Sequence, residues 1–146
     1  MSAYADTSFL VSYFGQDAKT LAAYAYAATW SQPPRIAWTV FGELEFNNAV
    51  RSLVFSGQLT PGNLRAMHAR VDEDLRGGIL ATRALPAYRH YEMAEAISAQ
   101  HTARVGGRTL DLLHVAAARV LGAREFLTFD ARQRQLAILC GLRVLP

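Results

Sequence analysis

Cysteine, lysine and acidic residues are all scarce in this chain, and each scarcity excludes something. A single cysteine, Cys140, leaves no internal disulfide and suits a reducing cytosol. Its place in LAILCGL predicts a small buried side chain. No cysteine and histidine spacing of the kind that holds zinc is present. Apolar runs fall far short of the roughly 20 residues that span a bilayer. The opening MSAYADTSFL has no basic n-region and carries an acid at position 6, so neither a membrane anchor nor a secretory signal is expected. Lysine is nearly absent, since 14 of the 15 basic residues are arginine. Arginine grips phosphate with two parallel hydrogen bonds where lysine does not, so the bias is compatible with a nucleic-acid partner, and equally with a GC-rich genome.

What is present describes a compact domain. The 146 residues are 51% hydrophobic and 18% charged, with a net charge of +3, which is too apolar for a disordered chain and long enough for one domain, residues 1–146, with a real core. Strand-like and helix-like stretches alternate. SAYA (2–5) reads as a short strand before a helix opening at Asp6, residues 18–30 as a second helix, RIAW (35–38) as a strand. A long helix at 39–57 is capped by Thr39 and stopped by Gly57, and another fills 60–78 with Pro61 at its first position. ILATRAL (79–85) is strand-like, and Pro86 opens a helix running to about Ala103. After the Gly106–Gly107 break come the helix of RTLDLLHVAAA, the strand EFLTF (125–129), a helix at 130–140 and a last strand at 142–145. Strands separated by helices pair in parallel through right-handed crossovers. The expected fold is α/β, a three-layer α/β/α sandwich around a mostly parallel sheet.

Four acids stand out by position. Asp6 ends the first strand, Asp130 ends EFLTF, Asp111 lies in the first turn of an otherwise apolar helix, and Glu45 lies two turns into the helix after RIAW. Groups at the carboxyl ends of parallel strands share one edge of a sheet. Carboxylates gathered there repel one another unless a cation joins them, and oxygen-only ligands suit Mg²⁺ or Mn²⁺. Each acid also has a plainer use. Asp6 and Asp130 suit helix caps, and Asp111 complements a helix dipole. Glu45, mid-helix, either reaches a partner or faces solvent, and Glu43 points to the other side.

YADTSFL, ELEFNNAV, RTLDLLHVAAA and LTFDARQ, in this order, resemble a PIN-domain ribonuclease, and most nearly the VapC-type toxin of a VapBC toxin–antitoxin pair. The resemblance implies a cytoplasmic, metal-dependent endoribonuclease that hydrolyses RNA through a Mg²⁺- or Mn²⁺-activated water. It implies Asp6, Glu45, Asp111 and Asp130 as the catalytic, metal-holding acids, with Glu45 preferred to Glu43. It also implies a homodimer restrained by a cognate antitoxin whose C-terminal segment lies over the site. Thr7 and Ser8 are candidates for contacts to metal-bound water or phosphate, and Arg108 and Arg132 for phosphate. His114, inside an apolar run, reads as a packed histidine rather than a general base. A receiver-like domain would need a second acid after the first strand and a late lysine, and the chain has only Lys19. The remaining alternative is a non-catalytic PIN-like module that binds RNA or protein, its acids serving as caps.

Overall fold

The computed structural model describes residues 2–146. Its strands are β1 (Ser2–Ala5), β2 (Arg35–Trp38), β3 (Leu80–Thr82), β4 (Glu125–Leu127) and β5 (Arg143–Leu145), and the helices are α1 (Thr7–Phe14), α2 (Thr20–Ala27), α3 (Val40–Phe55), α4 (Pro61–Gly77), α5 (Ala87–Ile97), α6 (Ala103–Val105), α7 (Thr109–Val120) and α8 (Ala131–Leu139). All strand pairs are parallel, in the order β3-β2-β1-β4-β5. β1 and β4 are neighbours in the register Ala5↔Leu127, so the chain leaves both strands side by side, at Asp6 and Thr128.

The alternation of side chains along β1 builds the two faces. Ala3 and Ala5 pack with Ile36, Trp38 and Leu127 against Phe9, Phe46, Val50 and Met67 of α1, α3 and α4. Tyr4 points the other way and packs with Phe126 against the apolar stripe of α7 and Leu136 and Ala137 of α8. The expected α/β/α sandwich is the observed one. Alanine in β1 is a weak strand former, and the strand is held by parallel pairing on both sides, with β2 and β4.

Two expectations need adjusting. The helix from Pro86 to about Ala103 is interrupted by a π-helical turn at Ser98–Thr102, one extra residue in the turn, which leaves no mark in local propensity. Cys140, expected to be buried, is half-buried, because it sits at the C-cap of α8.

Val115, Ala116, Ala117 and Ala118 are fully buried. A run of small residues there sets how closely α7 approaches the sheet. Ala117→Leu has nowhere to place its extra atoms, so it is expected to cost about 1–3 kcal/mol, read as a lower urea midpoint with an unchanged slope.

Candidate functional site at the carboxyl edge of the sheet

Asp6 ends β1 and caps α1. It is fully buried, and both carboxylate oxygens are committed. Oδ1 accepts from the Phe9 N–H at 2.9 Å and the Ser8 hydroxyl at 2.7 Å, and Oδ2 accepts from the Thr128 hydroxyl at 2.5 Å. Burial pushes the Asp6 carboxyl above the usual range, against the pull of the hydrogen bonds from Thr128, Phe9 and Ser8 and of nearby His114. Thr128 closes a second link, since its Oγ1 accepts the Asp130 N–H at 2.9 Å. Asp130 in turn caps α8, its Oδ1 accepting from the N–H groups of Arg132 at 2.8 Å and Gln133 at 3.0 Å.

Asp111 stands at the third position of α7, where its Oδ2 accepts the Arg108 N–H at 3.3 Å. Arg108 at the cap position has no acceptor of its own, so this carboxylate gives the helix start its counter-charge. Glu45 does reach a partner. Its Oε2 lies 3.6 Å from His114 Nε2, and His114 holds the Glu45 carboxyl below the usual range despite partial burial. Exposed Glu43 lies in the first turn of α3. His114 is packed, as expected, and more fully partnered than one hydrogen bond would make it. Burial raises the Tyr4 phenol far above its ordinary range, so the phenol stays protonated, and it shares a hydrogen bond of 2.9 Å with His114 Nδ1. The other ring nitrogen, Nε2, faces Glu45 and Thr7 Oγ1, the latter at 3.4 Å.

Two recesses divide the other sequence candidates. Arg108, Asp111 and Arg132 line one of about 290 Å³ with Gly106, Gly107 and Gln135. Thr7, Ser8 and Asp130 line a wider cleft of about 460 Å³ with Val11, Leu53 and Gln133, and Lys19 stands at its rim. That cleft shares Val11, Asp17 and Leu53 with a second recess, which shares Gly15, Leu59 and Met67 with a third reaching Tyr24, Asn63 and Arg70. Together they form one groove from the sheet edge between α1 and α3 to α4. Thr128, Gln133, Leu53 and Lys19 were not picked out from sequence. The threonine of LTFD was the one available signal, two residues before a cap and level with Asp6 across the sheet.

The chain matches the PIN domain over residues 3–139. It belongs to the PIN-domain family. No curated protein sequence matches it. Among solved structures it is similar to a chain of VapBC2 from Rickettsia felis bound to a DNA fragment from their promoter, at 14% identity and a TM-score of 0.64, over 99% of this chain and 98% of that one. The fold is thus a PIN fold, similar to that of VapC-type toxin components.

The metal expected from that resemblance does not fit this PIN domain. Among the described residues, no three His, Cys, Asp or Glu side chains come together in a way that could hold a metal ion. Asp6, Glu45, Asp111 and Asp130 were expected to converge on Mg²⁺ or Mn²⁺. Instead Asp6 is sealed under its own hydrogen bonds, Asp130 and Asp111 serve helix starts, and Glu45 pairs with His114. The metal-dependent endoribonuclease is corrected accordingly, and with it the nuclease, hydrolase and magnesium assignments. No helix among the described residues is long and apolar enough to cross a membrane.

Two outcomes follow. Because folding raises the Asp6 pKa, its favourable contribution is complete below the unfolded value of 3.8 and is lost as pH rises through the folded one. Asp6→Asn keeps the cap and cannot ionise, so its melting temperature relative to wild type should climb as pH rises above that point. Asp130→Ala removes a cap and should cost about 1 kcal/mol, equally in MgCl₂ and in EDTA when read by urea unfolding.

Proposed function

We propose that this chain is a VapC-type PIN module that works by holding a partner, with an antitoxin segment lying along the groove between α1 and α3. The observation that carries this is the groove's continuity from the sheet edge, at Thr7, Ser8 and Asp130, through Val11 and Leu53 to Leu59 and Met67. Its middle sets an apolar strip of Val11, Leu53, Leu59 and Met67 beside polar Gln16, Asp17 and Gln58, which suits a peptide segment offering apolar side chains and main-chain hydrogen bonds together. The resemblance of the chain to toxin–antitoxin proteins supports the choice of partner, in the cytoplasm.

A second copy of the chain is the partner proposed for the other exposed apolar face. Phe41 of α3 meets His90 of α5 at 5.4 Å between ring centroids. On the same two helices Val40, Leu44, Tyr88 and Tyr91 are exposed, by 84, 64, 79 and 63%, more apolar surface than a solvated face needs.

RNA binding without cleavage is the second reading. Arg108 and Arg132 line one recess and form no ion pair among the described residues, which leaves both guanidinium groups open to phosphate.

The test combines binding and cleavage. A cognate VapB-type antitoxin should bind by calorimetry, and Leu53→Asp, with a charge in the apolar middle of the groove, should weaken it about ten-fold or more. RNA incubated with the free protein and Mn²⁺ should stay intact, with wild type and Asp111→Asn indistinguishable on a gel. Metal-dependent cleavage by wild type alone would overturn the reading.

A further inference from the structure

Of the buried side chains whose polar atoms lack a partner among the described residues, Trp30, Asp74, His101, Thr102 and Gln133, only Gln133 lines the wide cleft. It lies one turn into α8, is 7% exposed, and lines the wide cleft. Its backbone N–H is spent on Asp130, yet its Oε1 has neither solvent nor a donor. A buried acceptor left without a donor is a cost that folded proteins avoid.

The surroundings explain why no donor reaches it. The Ser8 and Thr128 hydroxyls both donate to Asp6, and the Ser12 hydroxyl donates to Asp17. The guanidinium of Arg134 is turned to the carbonyls of Thr128 and Pro146. The Ser8, Ser12 and Thr128 protons thus point into carboxylates, and none is left for Gln133 Oε1. A group that completes it must bring a hydrogen-bond donor. Val11, Leu53 and Phe129 form an apolar wall in the same cleft, so the donor must come with an aliphatic side chain beside it. A peptide unit carries both. The terminal amide of glutamine turns about a soft torsion, so Oε1, now out of solvent, can turn to meet an entering N–H.

We propose that Gln133 reads a main-chain N–H of the bound partner segment, which crosses the sheet-edge cleft in extended form and seats an aliphatic side chain against Val11 and Leu53. The proposal rests on the groove reading above. It assigns Gln133 a part in specificity, because a segment with proline or a missing N–H at that register leaves the amide orphaned. The alternative, an amide merely packed within the fold, predicts no dependence on ligand N–H groups.

The test uses two small probes on the isotope-labelled protein followed by NMR. N-acetyl-leucine methylamide carries two N–H donors, and its fully N-methylated analogue carries none with the same side chain. The first should shift the Gln133 side-chain amide and the Val11 and Leu53 methyl signals together and saturably, and the second should bind about five-fold more weakly or less. In Gln133→Met, which keeps the shape and removes the acceptor, the preference between probes should vanish while the methyl shifts persist. If both probes move Val11 and Leu53 equally in wild type, the assignment of Gln133 falls and the groove stands. If neither probe moves any of these signals, the assignment and the groove reading fall together.

Discussion

Thr128 stands where β4 hands over to α8, and its hydroxyl is shared between two strand ends. It donates to Asp6 beyond β1 and accepts from the Asp130 N–H at the start of α8. With no exposed surface, these bonds are not diluted by water. They tie two helix caps into one joint: Asp6 fixes the start of α1, Asp130 fixes the start of α8, and Thr128 fixes the distance between them. The aromatic packing of Phe9 on Phe129, with centroids 5.7 Å apart, then closes the floor of the adjoining cleft. The groove has the position it has because that joint holds both of its walls.

The same joint decides what the acids can do. A carboxylate can serve a helix start or a cation, and its oxygens are limited. Asp6 gives both of its oxygens to protein donors and still bears the cost of burial, as its raised pKa records. Asp130 and Asp111 answer unpaired N–H groups that would otherwise be left at helix ends. Glu45 is drawn to His114, which is itself oriented by the Tyr4 phenol. Each of these four carboxylates therefore has a partner within the fold, and gathering at one edge is not the same as converging on one point.

Much of this fold was legible. The alternating strands and helices, the capping residues Asp6, Thr39 and Asp130, and the shared edge of Asp6 and Asp130 followed from residue type and position, because caps and strand ends are local properties. The site was less legible for a physical reason. Whether Asp6 offers an oxygen to a metal depends on Thr128, 122 residues away, and no local pattern reports that contact. Glu45 shows the same divide. Its mid-helix place predicted that it would reach a partner or face solvent, and only packing of α3 on α7 chose His114. Gln133 was invisible because a glutamine three residues beyond a cap reads as an ordinary exposed helical residue, and its burial comes from tertiary structure.

The polarity of the cleft completes the argument. Hydroxyl groups are usually neutral in their demands, since each both donates and accepts. Here Ser8, Ser12 and Thr128 donate to Asp6 and Asp17, and Ser8 and Thr128 also accept the Phe129 and Asp130 N–H groups, so none of the three has a proton to spare for Gln133. The carboxylates therefore shape the cleft without entering it, by setting which way neighbouring hydroxyls point. An edge that would suit a cation, were its carboxylates free, instead spends its hydroxyl protons inside the fold and leaves one buried acceptor, Gln133 Oε1, without a donor, and the burial of Asp6 is what makes the difference.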